Sequence, residues 1–166
     1  FLQRFVPTCL TKTKFGNSLN PGISLYIEIT NPIAEIISSI EKLKPVSGRY
    51  EKINFGQDFE IILDYAHTLN GISNILDSVR HYRKIITVTG AAGGREKEKR
   101  SKIGKIVLDK SDYVIFTMDD PRYESVDSII DDLAGDTDKE YFRIKDRVEA
   151  INFALNVADK DSVVLI

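Results

Sequence analysis

The sequence has one cysteine, Cys9, which excludes an internal disulfide and a cysteine-rich metal site and suits a reducing cytoplasm. No apolar run approaches the roughly 18 residues that a bilayer-spanning helix needs. The opening stretch FLQRFVPTCL lacks the long apolar segment and small-residue cleavage site of a secretory signal. Charge of one sign is also lacking. The net charge is −2 with acids and bases interspersed, which gives no support for a nucleic-acid or membrane-surface partner. No internal repeat or low-complexity tract occurs. An initiator Met is missing and the sequence stops inside the apolar run SVVLI, so both ends are expected to be cuts in a longer chain.

What remains is ordinary globular material, 42% hydrophobic and 29% charged, enough for one domain with a small appendage. From residue 59 onward, strand and helix patterns alternate. FEIILDY (59–65), KIITVTG (84–90), DYVIFTM (112–118), EYFRI (140–144) and SVVLI (162–166) read as strands. Between them, Leu69, Ile72, Ile75, Leu76 and Val79 recur at helical spacing, as do Ile103, Ile106 and Val107, and Val126, Ile129, Ile130 and Leu133. Asp146 is placed to cap a fourth helix with Val148, Ile151, Leu155 and Ala158 inward. This alternation predicts an α/β doubly wound domain, a mostly parallel sheet flanked by helices with right-handed crossovers. Residues 1–46 differ: a turn-rich start, an alternating SLYIEIT (24–30), then a helical stripe from Ile33 to Leu43. They read as a connector and the remnant of a preceding domain, with the α/β domain over 47–166.

Ligands of such sheets bind outside the carboxyl ends of the strands. The loop DYAHT (64–68) carries Asp64 and His67 there. An acid at this point can accept from ribose hydroxyls, or Asp64 or Thr68 can simply cap the next helix. The loop GAAGGREKEKR (90–100) fails the Walker pattern, because Arg95 and Glu96 follow its last Gly. It fails the dinucleotide pattern too, with Ala92 and Arg95 where Gly is required. A flexible approach to a helix N-terminus survives, with Arg95, Lys97, Lys99 and Arg100 available to an anion. The plainer alternative is a charged helix face, Glu96 pairing with Arg100 and Glu98 with Lys102. DDPRYE (119–124) offers acids for an ammonium and an Arg for a carboxylate, or is an ordinary turn. KDRVEA (145–150) reads as a capped first turn, and SGRYE (47–51) as a connector whose Arg49 can reach a phosphate.

In this order and spacing, GRYE, DYAHT, the glycine loop ending in KR, DDPRYE and DRVEA resemble the C-terminal domain of the Mur ligases, nearest the tripeptide synthetases. The resemblance covers about residues 36–166. It implies a cytoplasmic three-domain enzyme of peptidoglycan synthesis that uses ATP and Mg²⁺. The implied partners are UDP-MurNAc-dipeptide and a diamino acid, meso-diaminopimelate or lysine, joined through an acyl phosphate. By the family pattern Arg49, Asp64 and His67 lie at the nucleotide. Arg100, Asp119, Asp120 and Arg122 lie at the incoming amino acid, and Arg95 is a further anion contact. Three positions depart from it: Asp120 replaces an Asn, Gly94 an Asp and Leu69 a Pro. The family's phosphate loop and carbamylated Lys belong to a central domain, and its G-K-G-x-E motif would begin past Ile166, so this stretch alone is expected to be inactive. Folylpolyglutamate and cyanophycin synthetases share the architecture and remain alternatives, as does a non-catalytic anion- or partner-binding domain.

Overall fold

The computed structural model describes residues 46–166, together with Ile37, Ser38 and Lys42. The chain divides into two compact units, Phe1–Leu43 and Lys44–Ile166, and the second is described below. The strand expected over 24–30 and the helix over 33–43 lie outside the described residues, apart from Ile37 and Ser38, which are helical, and Lys42, which is in a turn.

The elements run β1 (Glu51–Ile53), β2 (Glu60–Leu63), α1 (Leu69–Val79), β3 (Lys84–Thr89), α2 (Lys97–Lys110), β4 (Tyr113–Phe116), α3 (Val126–Ala134), β5 (Phe142–Arg143), α4 (Arg147–Val157) and β6 (Ser162–Leu165). They form a six-stranded sheet in the order β1-β2-β6-β3-β4-β5. Every pairing is parallel except β1 with β2, so the α/β, mostly parallel sheet read from the sequence is what the chain adopts.

Burial follows the residue pattern. β3 and β6 are covered on both faces, which is why their Val and Ile run continuously rather than alternating. One face of the sheet packs Ile62, Ile85, Val114, Phe116 and Val163 against α1, α2 and α3. The other packs Ile86, Val88, Ile115 and Val164 against α4. The helix stripes of α1 and α3 point inward as expected, with Ile72, Leu76, Val79, Ile129, Ile130 and Leu133 all buried.

Two elements differ from expectation. Glu51–Ile53, at the end of the presumed connector, is an edge strand, with Lys52 opposite Ile62. In α4 Ala150 and Ala154 are fully buried, Ile151, Leu155 and Ala158 pack half-buried against the same cluster as expected, and Val148 is exposed. The small side chains let this helix lie close on the sheet, so its deepest contact falls beside the apolar stripe.

α2 and α3 approach closely at Gly104. A Cβ built there would sit 1.7 Å from Leu133 O, so only glycine permits this crossing. That contact sets where the first turn of α2 stands over the carboxyl edge of the sheet.

Candidate functional site

Segments leaving β2, β3, β4 and β5 meet at that edge beside Ile166, where two clefts share one wall. Asp64, Tyr65, Ala66 and His67, from the loop after β2, line both.

The local structure of this wall is tightly specified. The Asp64 carboxylate accepts from Tyr50 N–H and Ala66 N–H, each at 2.8 Å, tying the β2 end to the turn that carries Arg49. Thr68, not Asp64, caps α1, accepting from Gly71 N–H at 3.1 Å. His67 Nδ1 lies 3.1 Å from Tyr65 O, a carbonyl that can only accept, so the Nδ1–H donates there and Nε2 is directed elsewhere. The Arg49 guanidinium carbon stands 5.0 Å from the centre of the Tyr65 ring, a cation–π contact on an exposed aromatic face. Arg49, Asp64 and His67 therefore come together around one cleft of about 350 Å³.

The second cleft, about 220 Å³, is bounded by the shared wall, the glycine loop, Asp119 at the end of β4 and Arg147 at the start of α4. Arg95 lines it, is exposed, and makes no hydrogen bond or ion pair among the described residues. Arg147 reaches Met118 O at 3.4 Å with one Nη1–H. The sequence reading gave Arg147 no role, since a helix-start Arg after an N-cap is unremarkable in one dimension; Asp146 does cap α4, accepting from Glu149 N–H at 2.9 Å.

Arg100 lines this cleft too, but its guanidinium is turned to partners within the protein. Its side chain is 1% exposed. Nη1 donates to Glu124 Oε2 and Asp132 Oδ2, both at 2.8 Å, and Nη2 to Ala92 O at 2.8 Å. Only Nε–H lacks a partner, and it too is buried. The guanidinium is already neutralised by the protein, chiefly by Glu124, which also raises its pKa. Glu124 is held in turn at about 2 by Arg100 first and by the Gly94 N–H. The Glu96–Arg100 pair of the plainer alternative does not form; Glu96 pairs with Lys99, which lowers the Glu96 pKa.

Asp120 and Arg122 stand at the lip, outside the residues lining the cleft, with Arg122 Nε 3.3 Å from Asp120 Oδ2. Gly93 N–H donates to Asp120 O at 2.8 Å, and a Cβ at Gly93 would come within 1.9 Å of Pro121 O. The glycine loop is thus shaped to accept the DDPRYE turn. Tyr50, Glu96 and Arg122 all have left-handed φ values, 49°, 52° and 52°. Such conformations in non-glycine residues persist only where the surroundings over-determine them, commonly at ligand sites.

A mostly parallel sheet whose carboxyl-end loops build two adjoining clefts, each with an unpaired or stacked arginine, defines an α/β domain of the doubly wound class with clefts where such sheets hold ligands. Residues 48–166 match the family model of the Mur ligase, glutamate ligase domain, and the chain belongs to that family. It is 39% identical over 150 residues to the UDP-N-acetylmuramoyl-L-alanyl-D-glutamate–2,6-diaminopimelate ligase of Fusobacterium nucleatum, covering 87% of this chain and 30% of that protein. The enzyme of the same name from Bacillus licheniformis is 42% identical over 138 residues, covering 81% and 28%. A solved structure of a ligase of this name superposes with a TM-score of 0.68 at 28% identity, covering 82% of this chain and 29% of that one. The bifunctional folylpolyglutamate synthase/dihydrofolate synthase of Yersinia pestis shares the fold, with a TM-score of 0.60 at 18% identity over 75% and 28%. The chain therefore spans under a third of the length of these relatives.

Proposed function

We propose that residues 47–166 are the amino-acid-binding C-terminal domain of a cytoplasmic ATP-dependent ligase, and residues 1–46 the connector to its central domain. The ligase adds a diamino acid to UDP-MurNAc-L-Ala-D-Glu in peptidoglycan synthesis. One observation carries this reading: two clefts, one holding Arg49, Asp64 and His67 and the other Arg95 and Asp119, share a single wall. In an acyl-phosphate mechanism the nucleotide and the incoming amine must meet at one carboxyl carbon, and adjoining clefts bring them together.

Arg49 and Tyr65 form a stacked platform beside Asp64, whose carboxylate retains lone pairs to accept from ribose hydroxyls after its two backbone bonds. Arg95 is the cation for a substrate carboxylate. It is the exposed cation of the cleft, whereas the Arg100 guanidinium that lines it as well is already shared among Glu124, Asp132 and Ala92. Asp119 accepts from an ammonium, and Arg122 with Asp120 closes the lip around a zwitterionic end.

Among the described residues no three His, Cys, Asp or Glu side chains converge as a metal site. None of their helices is long and apolar enough to cross a membrane.

The test is turnover by the intact enzyme. ADP and phosphate should be released only when UDP-MurNAc-L-Ala-D-Glu and a diamino acid are both present, and a panel of meso-diaminopimelate, lysine and ornithine identifies the substrate. Ligation of glutamate to a folate acceptor would move the chain to the folylpolyglutamate branch.

A further inference from the structure

Glu124 ends the DDPRYE turn one residue before the N-cap of α3, and its own N–H closes the turn by donating to Pro121 O at 2.9 Å. Its carboxylate faces the glycine loop instead of the cleft. Oε1 accepts from Gly94 N–H at 2.6 Å, Oε2 from Arg100 Nη1 at 2.8 Å, and Lys97 Nζ lies 3.3 Å from Oε2. Beside it runs the Gly93-to-Asp120 bond, and Arg100 completes the ring by donating to Ala92 O. Two loops from different strands, 30 residues apart at Gly94 and Glu124, are joined into one body. The left-handed Glu96 and Arg122 lie in the two loops that it joins.

We propose that Glu124 is a positioning residue for the amino-acid end of the cleft: its carboxylate fastens the glycine loop to the Asp119–Arg122 turn and so fixes Arg95 against Asp119 and Arg122. The proposal rests on the ligase reading above. Glu124 touches no substrate, because Gly94, Arg100 and Lys97 occupy its oxygens. What it supplies is separation. A ligand bearing both carboxylate and ammonium groups needs its charged partners at a set distance, and charge-assisted pairs lose most of their advantage when misplaced.

In the intact enzyme, Glu124→Ala is expected to raise KM for the diamino acid about tenfold, the scale of one weakened charge-assisted contact. Glu124→Gln should be milder, since its amide oxygen still accepts from Gly94 N–H. KM for ATP should change by less than about twofold, because the nucleotide cleft keeps Arg49, Asp64 and His67. Amide hydrogen exchange of the same proteins reads the fastening without catalysis: Gly93 and Gly94 should exchange faster in Glu124→Ala, while the β3 amides keep their protection. Equal losses toward ATP and the diamino acid with a lowered Tm would make Glu124 a general support and overturn the proposal. An unchanged diamino-acid KM despite faster exchange would overturn it as well. A wild-type enzyme that uses no diamino acid overturns the ligase reading and the proposal with it, and the exchange result separates that failure from a loop that was never fastened.

Discussion

Gly104→Ala sets two effects of opposite sign against each other. Gly104 is buried in the middle of α2, where Ala is intrinsically better by about 1 kcal/mol. Against this, the new Cβ would meet Leu133 O at 1.7 Å and Leu133 C at 2.7 Å. Both are backbone atoms of α3, so no side chain can rotate away and the helices must separate. Overpacking of a tight core costs about 1–3 kcal/mol, and an obstacle made of backbone puts this site at the upper end. The net expectation is a loss of about 2 kcal/mol, or about 8 °C in Tm for a domain of this size. Urea and thermal unfolding followed by circular dichroism measure it. A functional effect should accompany the loss, because the first turn of α2 carries Arg100 to Glu124 on the loop before α3 and to Asp132 within α3. A variant of unchanged or higher stability would mean that propensity wins and that the close crossing of α2 and α3 does not hold.

Arg122→Ala and Arg95→Ala should each raise the diamino-acid KM roughly tenfold or more with little change in stability, both being exposed, while Arg49→Ala should act on the ATP KM; steady-state kinetics with each substrate varied tests the division. Asp146→Ala removes the cap bond to Glu149 N–H and should cost about 1 kcal/mol by urea unfolding. Glu124 and Asp159 are both held at about 2, from ordinary values of 4.5 and 3.8. Since both folded values lie below the unfolded ones, their stabilisation is complete above about pH 4.5 and is lost as pH falls towards about 2. The urea midpoint should drop across that window, and Glu124→Gln should flatten part of the drop.

The alternation of strands and helices was legible because each buried strand is a short run of β-branched residues and α1 and α3 carry full apolar stripes. β1 was not, being three residues of a sheet edge with a single apolar side chain. The misplacement of Val148 and the omission of Ala150 and Ala154 in α4 have a similar cause, since the alanines contribute little to a hydrophobic pattern yet make the deepest contact. Arg100 is more instructive. Its partners Glu124 and Asp132 lie 24 and 32 residues away, beyond any local spacing rule. A signal was nevertheless present: the buried residues of α2 are Arg100, Ile103, Gly104, Val107 and Leu108, a helical stripe that begins at the arginine. An Arg in register with an apolar face points inward, and the charges around it concealed that. Arg147 and Glu124 sat inside recognisable motifs, but only the meeting of loops from separate strands gives them neighbours.

The strand order also governs the sequence of events in folding. β6 follows the other five strands of this sheet in the chain, yet it lies between β2 and β3, which do not pair with each other. Until residues 162–165 arrive, the β1–β2 hairpin and the β3–β4–β5 sheet are separate pieces, each with a bare inner edge. Those edges are templates for pairing with other chains, so nascent or truncated forms ending before residue 162 should be aggregation-prone and should seek chaperones. The two sides of the shared cleft wall acquire a common frame only when β6 docks.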